Sequence, residues 1–226
     1  MTALAQNWAG AVAAKVSDPL IPYMLAIIEN ESGGTPGVEA YKATRLTAEL
    51  PSSGGGTIAA NRALGLMQTI PIVIDDYNKI HTDIATYEEM RGNSLADGYK
   101  QIDVGIWAFK NNVRILERIL GQTLVSNNRL NENLLKLVLV AYAWGIGNLR
   151  NKLDVLRDLN LEPNFNNLKR TFPTLGQPAN QPLVYVERIF RKARKYSNLA
   201  PVAAGAGLGM LALIGGLIFL VARGHI

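Results

Sequence analysis

The chain has 226 residues, 48% hydrophobic and 18% charged, enough for one domain with a buried core plus an accessory segment. It has no cysteine and only two histidines, His81 and His225, which excludes disulfides, thiolate chemistry and a His-rich zinc centre. The net charge of +5 is local: residues 1–187 hold 17 basic against 18 acidic residues, so the domain offers no electrostatic footprint for nucleic acid and no such partner is expected.

The periodicity is helical almost throughout. Leu4, Trp8, Ala11 and Val12 share one helical face, which predicts a short docking segment over residues 1–17, with no run resembling a secretory signal. Asp18-Pro19 reads as an N-cap followed by proline at the first helical position. Ile21, Met24, Leu25 and Ile28 then mark a buried face, and Gly33-Gly34 ends the helix. Residues 35–64, centred on Ser52-Ser53-Gly54-Gly55-Gly56, read as a flexible loop. Asp75 and Asp76 read as a helix N-terminus after Pro71. Ile102, Ile106, Phe109, Val113, Leu116 and Leu120 predict a long amphipathic helix, and Leu134 to Trp144 a central helix that is apolar nearly all round. Tyr185, Ile189 and Lys192 fall on a last helix, which ends in a basic block.

From Ala200 to Ala222 the chain runs 23 residues without a charge. At about 1.5 Å per residue this run could span a hydrocarbon core, so a single transmembrane helix over 199–222 is expected, with the lipid bilayer as partner. Gly205 and Gly209 give it a small-residue face that would admit a second transmembrane helix. The expected order is a docking segment (1–17), a helical domain (18–187), a basic juxtamembrane segment (188–198), the span (199–222) and a short tail (223–226).

Three polar features interrupt the apolar pattern. Glu31 continues the buried face of its helix at the C-terminal end, where a carboxyl suits general acid work, whereas Glu29 is rotated about 100° from Ile28 and is expected in solvent. Gln68, in Gly65-Leu66-Met67-Gln68-Thr69-Ile70-Pro71, places an amide among apolar neighbours. Tyr142 puts a phenol at the end of the central helix, just before Gly145. Taken singly, each also fits a structural role: a capping glutamate, a buried structural amide, a core aromatic.

Taken together they resemble a family. Glu31-Ser32-Gly33-Gly34-Thr35-Pro36 resembles the Glu-Ser-x-x-x-Pro motif of the soluble-type lytic transglycosylases, relatives of goose-type lysozyme. Gly65-Leu66-Met67-Gln68-x-x-Pro71 is similar to their Gly-Leu-Met-Gln-x-x-Pro motif throughout. Ile102-x-x-Gly105, with Gln101 in an Asn position, Ala141-Tyr142-x-x-Gly145 and Tyr185-Val186 follow in the family's order. The chain departs from the pattern at Ala143, where the family has Asn, and at Pro182, where it has Thr. The resemblance implies a mainly α, α+β lysozyme-like fold that acts on peptidoglycan glycan strands. It also implies cleavage of the MurNAc–GlcNAc bond with a 1,6-anhydro product, and no cofactor or metal. It makes Glu31 the sole catalytic acid and then base, supported by Ser32. Met67, Gln68, Tyr142 and Tyr185 become substrate-binding residues, and Trp144 could offer a stacking face. A catalytically degenerate wall-binding membrane protein is the alternative.

The location follows from the flanks. With no export signal, and with the basic block on the domain side of the span, the domain is expected on the cytoplasmic face, away from the wall. A bacteriophage protein carried in a virion's internal membrane, and used to open the wall during genome delivery, reconciles these features; a cellular membrane-bound transglycosylase is the alternative.

Overall fold

A computed structural model describes residues 4–41, 49–51, 57–59, 62–171 and 180–199. The apolar run 200–222, with Gly205 and Gly209, lies outside them. Among the described residues no helix is long and apolar enough to cross a membrane.

Nine helices and six short strands are described, so the mainly helical expectation holds for this region. A 3₁₀ turn (Leu4–Trp8) runs into α1 (Ala9–Ala13), which packs with α2 (Ile21–Ser32). Trp8 and Val12 are buried, and the Trp8 indole donates to the carbonyl of Gly34 at 3.0 Å. The N-terminal segment therefore pins the turn after α2. Gly34 is the residue that permits this: its φ is +88°, and a Cβ there would lie 2.3 Å from the backbone nitrogen of Ala5. Asp18 does not cap α2. It starts a separate 3₁₀ turn (Asp18–Leu20), and α2 begins at Ile21 with no side-chain cap.

The stretch expected as loop carries two antiparallel ladders. β1 (Glu39–Tyr41) pairs with β4 (Arg62–Leu64), and β2 (Glu49–Pro51) with β3 (Thr57–Ala59). α3 (Pro71–Asn78) starts on its proline, so Asp75 and Asp76 fall in its second half. Asp75 accepts from the Tyr87 hydroxyl and Asp76 pairs with Lys79, so neither serves as an N-terminal residue. α4 (Tyr87–Arg91) and α5 (Leu95–Leu120) each open with a reciprocal capping box, Thr86 with Glu89 and Ser94 with Asp97.

α5 is the 26-residue amphipathic helix that the spacing predicts, burying Ile102, Ile106, Phe109 and Leu116. A hairpin of β5 (Val125–Ser126) and β6 (Arg129–Leu130) leads to α6 (Glu132–Trp144), capped by Asn131. α6 is central: Leu134, Leu135 and every residue from Leu137 to Ala141 are buried, against α5, α7 (Ile146–Asp158), α8 (Phe165–Thr171) and α9 (Asn180–Ala193).

α9 makes its most extensive contacts with α2, and the basic stretch after Glu187 belongs to this packing. Ile189, Ala193 and Tyr196 are buried in the core, while Arg188, Arg191 and Arg194 face solvent. Glu29 is the corresponding correction on α2. It does not sit in solvent: Lys192 and Lys195 pair with it, and the Tyr196 hydroxyl donates to it at 2.6 Å. Burial opposes its charge, but the bonds from Tyr196, Lys195 and Lys192 prevail and hold its carboxyl below the ordinary carboxylate range. A depressed folded pKa adds stability that is complete above the ordinary range and lost as pH falls through the folded value. Glu29→Gln is therefore expected to flatten the acid limb of a stability profile while wild type keeps it; identical acid limbs in urea melts would contradict the pairing.

Candidate active site

The apolar face of α2 buries Met24, Leu25, Ile27 and Ile28, and this packing fixes the helix end that carries Glu31, whose side chain is half-buried. Gly33 ends the helix in the left-handed conformation with φ +65°, and its N–H bonds back to the carbonyl of Glu29 at 3.2 Å. Ser32 then ties the acid's turn to the next motif. Its hydroxyl lies 2.9 Å from the Leu66 carbonyl and 3.1 Å from that of Ile28, and accepts from the Gly34 N–H.

The Gly65–Thr69 turn is closed by a reciprocal pair of backbone bonds between Leu64 and Thr69. Gly65 takes φ +74° and Gln68 takes φ +50°, unusual for a residue with a Cβ. The Gln68 side chain offsets that cost: its amide donates to the carbonyls of Val38 at 2.8 Å and Gly65 at 3.0 Å. Met67 is fully buried and Gln68 is 3% exposed. Both residues are thus enclosed here, holding the turn against β1. Gln68→Ala leaves two carbonyls without their donor, at about 1–3 kcal/mol. A thermal melt lowered by several degrees is expected alongside reduced activity; an unchanged melt with reduced activity would place Gln68 on the substrate instead.

α5 supplies two further parts. Gly105 faces Met67, and a Cβ there would lie 2.5 Å from both the Met67 Cβ and its sulfur. Gly105→Ala is expected to cost about 1–3 kcal/mol by overpacking and to shift the turn, lowering melt and turnover together. Retention of both at wild-type levels would show that the contact gives way freely. Gln101 is fully buried and uses its amide in four directions. Its oxygen accepts from the Leu66 N–H at 3.0 Å and the Gly37 N–H at 3.3 Å, and its nitrogen donates to the carbonyls of Glu89 and Gly92 at 2.9 and 2.8 Å.

Two phenols lie within the electrostatic reach of Glu31. Tyr142, from the end of α6, donates to the Met67 carbonyl at 2.7 Å. Burial, and then the Glu31 carboxylate, push this phenol well up. Tyr185 comes from α9. Its hydroxyl is fully covered and has no partner of good hydrogen-bond geometry among the described residues. Burial first, then Glu31, raise it in the same way, with Arg188 opposing. Both tyrosines therefore stay protonated at neutral pH; the Tyr142 proton is committed to the Met67 carbonyl, which leaves Tyr185 as the phenol able to donate toward a charged Glu31. Gly145, at φ +93°, turns the chain out of α6 and leaves Ala143 exposed and Trp144 half-buried.

The structure thus joins Ser32, Met67, Gln68 and Tyr142 through contacts to one turn beside the end of α2, and sets Glu31 within electrostatic reach of Tyr142 and Tyr185. Two residues of this assembly were not among the sequence candidates. Gln101 had a signal: it falls at four-residue spacing with Gly105 and Phe109 on the buried stripe of α5. Glu29 had none, because its partners lie more than 160 residues along the chain.

Other carboxylates near these elements are engaged. Glu39 on β1 pairs with Arg62 and with Arg91 Nε at 3.2 Å. Among the described residues no three His, Cys, Asp or Glu side chains gather as a metal site would require.

Residues 11–161 match the family model described as Transglycosylase SLT domain. That span exceeds half of the chain and contains Glu31, Gln68, Gln101 and Tyr142, but stops short of Tyr185. No curated protein and no solved structure matches the chain.

Proposed function

The chain belongs to the transglycosylase SLT family and is a peptidoglycan lytic transglycosylase, and on that premise we propose that Glu31 alone acts as acid and then as base. The protonated carboxyl donates to the glycosidic oxygen as the bond from MurNAc C1 breaks. The resulting carboxylate takes the proton of the same sugar's 6-hydroxyl while O6 bonds to C1. The bond made replaces the bond broken, Glu31 ends as it began, and no water is consumed. The observation that carries this reading is one half-buried carboxyl at the capped end of α2, in a turn that Ser32 ties to the Leu66 carbonyl and beside the Met67 carbonyl that holds Tyr142.

Tyr185, a neutral phenol whose hydroxyl has no other partner among the described residues, can donate to Glu31 while it is charged and release it when it is protonated, easing the change between its two roles. The engagement of Glu39 by Arg62 and Arg91, and of Asp75 by Tyr87, supports a mechanism with one carboxylate, since a second would be needed to activate water or to form a glycosyl intermediate. The full chain is expected to release soluble muropeptides from purified peptidoglycan; sacculi left intact after prolonged incubation would contradict the reading.

The uncharged run 200–222 supports a further proposal, a membrane anchor that holds this domain at a lipid surface, with Gly205 and Gly209 open to a helix partner. Use of the enzyme by a bacteriophage to open the wall during genome delivery is the setting we favour. The full chain should then stay with membranes in high salt and at alkaline pH, and should be present in purified virions and extracted from them only by detergent. Release into a high-salt supernatant would remove both the anchor and the virion setting.

A further inference from the structure

We infer that Glu29 is a positioning residue for the transglycosylase reaction: by clasping the end of α9 it fixes where Tyr185 stands against Glu31. The inference rests on the roles given to Glu31 and Tyr185 above.

Glu29 lies two residues before the acid, in the last turns of α2, with its side chain 15% exposed. Three donors converge on its carboxylate from the end of α9 and the turn that follows. They are the Tyr196 hydroxyl at 2.6 Å, Lys195 Nζ at 3.0 Å and Lys192 Nζ at 3.3 Å. Lys192 also donates to the backbone carbonyl of Glu29 at 3.3 Å, beside the N–H of Gly33 that closes the helix. The clasp therefore grips both the side chain and the main chain of the turn that carries the acid.

Tyr185 and Lys192 are seven residues apart, about two turns, and so lie on one face of α9. That face meets α2 at Glu29 through Lys192, and carries the covered Tyr185 hydroxyl within the electrostatic reach of Glu31. Val186 and Ile189 between Tyr185 and Lys192, and Ala193 just beyond Lys192, are buried apolar residues. Apolar packing holds helices together without bond direction. A carboxylate that accepts from three donors has short, directed bonds that a slide would break. The apolar contacts thus supply adhesion, and the Glu29 clasp sets the register. The register matters for rate, because a misplacement of about 1 Å at a reacting group costs up to about 10²-fold.

The test is a cycle of three variants of the full chain in detergent: Glu29→Gln, Tyr185→Phe and the double variant. Each is assayed below its melting temperature on a soluble glycan-strand fragment of peptidoglycan. Glu29→Gln is expected to lower kcat about 10-fold with KM within about twofold. The double variant should be no slower than Tyr185→Phe alone, because the clasp acts through that phenol. Glu29→Asp, which keeps the charge, should recover part of kcat. Wild-type kcat in folded Glu29→Gln, losses that multiply in the double variant, or wild-type turnover by Tyr185→Phe would each overturn the inference. Failure of the underlying reading would look different: Glu31→Gln would then remain active whatever the cycle gave.

Discussion

Glu31→Gln is expected to lose at least about 10²-fold in turnover on purified peptidoglycan, with the fold and wall binding retained. The amide has nearly the same shape as the carboxyl but neither donates the proton that the leaving oxygen needs nor removes one from the 6-hydroxyl. The helix end that presents it is fixed by contacts that do not use its carboxyl: the Gly33 cap, the Ser32 bonds to Leu66 and Ile28, and the Trp8 bond to Gly34. A melting temperature close to wild type is therefore part of the prediction. Glu88→Gln, on the exposed side of α4, is the matched control and should keep wild-type turnover. A Glu31→Gln protein that clears sacculi at the wild-type rate would place the acid elsewhere.

The largest loss of stability is expected from Gln101→Leu. The leucine fills similar space but leaves four backbone groups, those of Gly37, Leu66, Glu89 and Gly92, without their partner in a fully buried site. Each orphaned group costs about 1–3 kcal/mol, though not additively, against a total stability of about 5–15 kcal/mol for a domain. The variant should express poorly or melt far below wild type. Gln101→Glu separates the two halves of the amide. It keeps the oxygen that receives Leu66 and Gly37 but turns the other end from donor to acceptor against two carbonyls, so it should also be strongly destabilised. Chemical melts of the two variants check this, and a Gln101→Leu midpoint equal to wild type would mean that the turn does not depend on the amide.

The parts of this protein that were legible in its sequence are those governed by local rules. The stripe from Ile102 to Leu120 and the all-round apolar stretch from Leu134 specify α5 and α6 because helical spacing alone decides which side chains are covered. Glu31 could be read for the same reason, as a polar residue at the end of an apolar face. The small ladders at Glu39–Tyr41 and Glu49–Pro51 could not. Each has three residues, and the sequence around them is rich in Gly and Ser, so no alternating pattern marks them. Asp18 was misread because a proline at the next position suits a 3₁₀ turn as well as an α-helix. Glu29 was assigned to solvent from its angle to Ile28, but α9 returns to cover that side of α2, and nothing near Glu29 in the chain announces it. The enclosure of Met67 and Gln68 is likewise a tertiary fact: it depends on Gly105 admitting one and on Val38 receiving the other.

The measurement closest to the central claim is digestion of purified peptidoglycan by the full-length protein in water enriched in heavy oxygen, with mass analysis of the released muropeptides. If Glu31 drives closure of the sugar's own 6-hydroxyl onto C1, every new MurNAc end is an anhydro ring and carries no label, because no water enters the reaction. Labelled ends, heavier by one water, would show hydrolysis and would contradict the one-carboxylate mechanism.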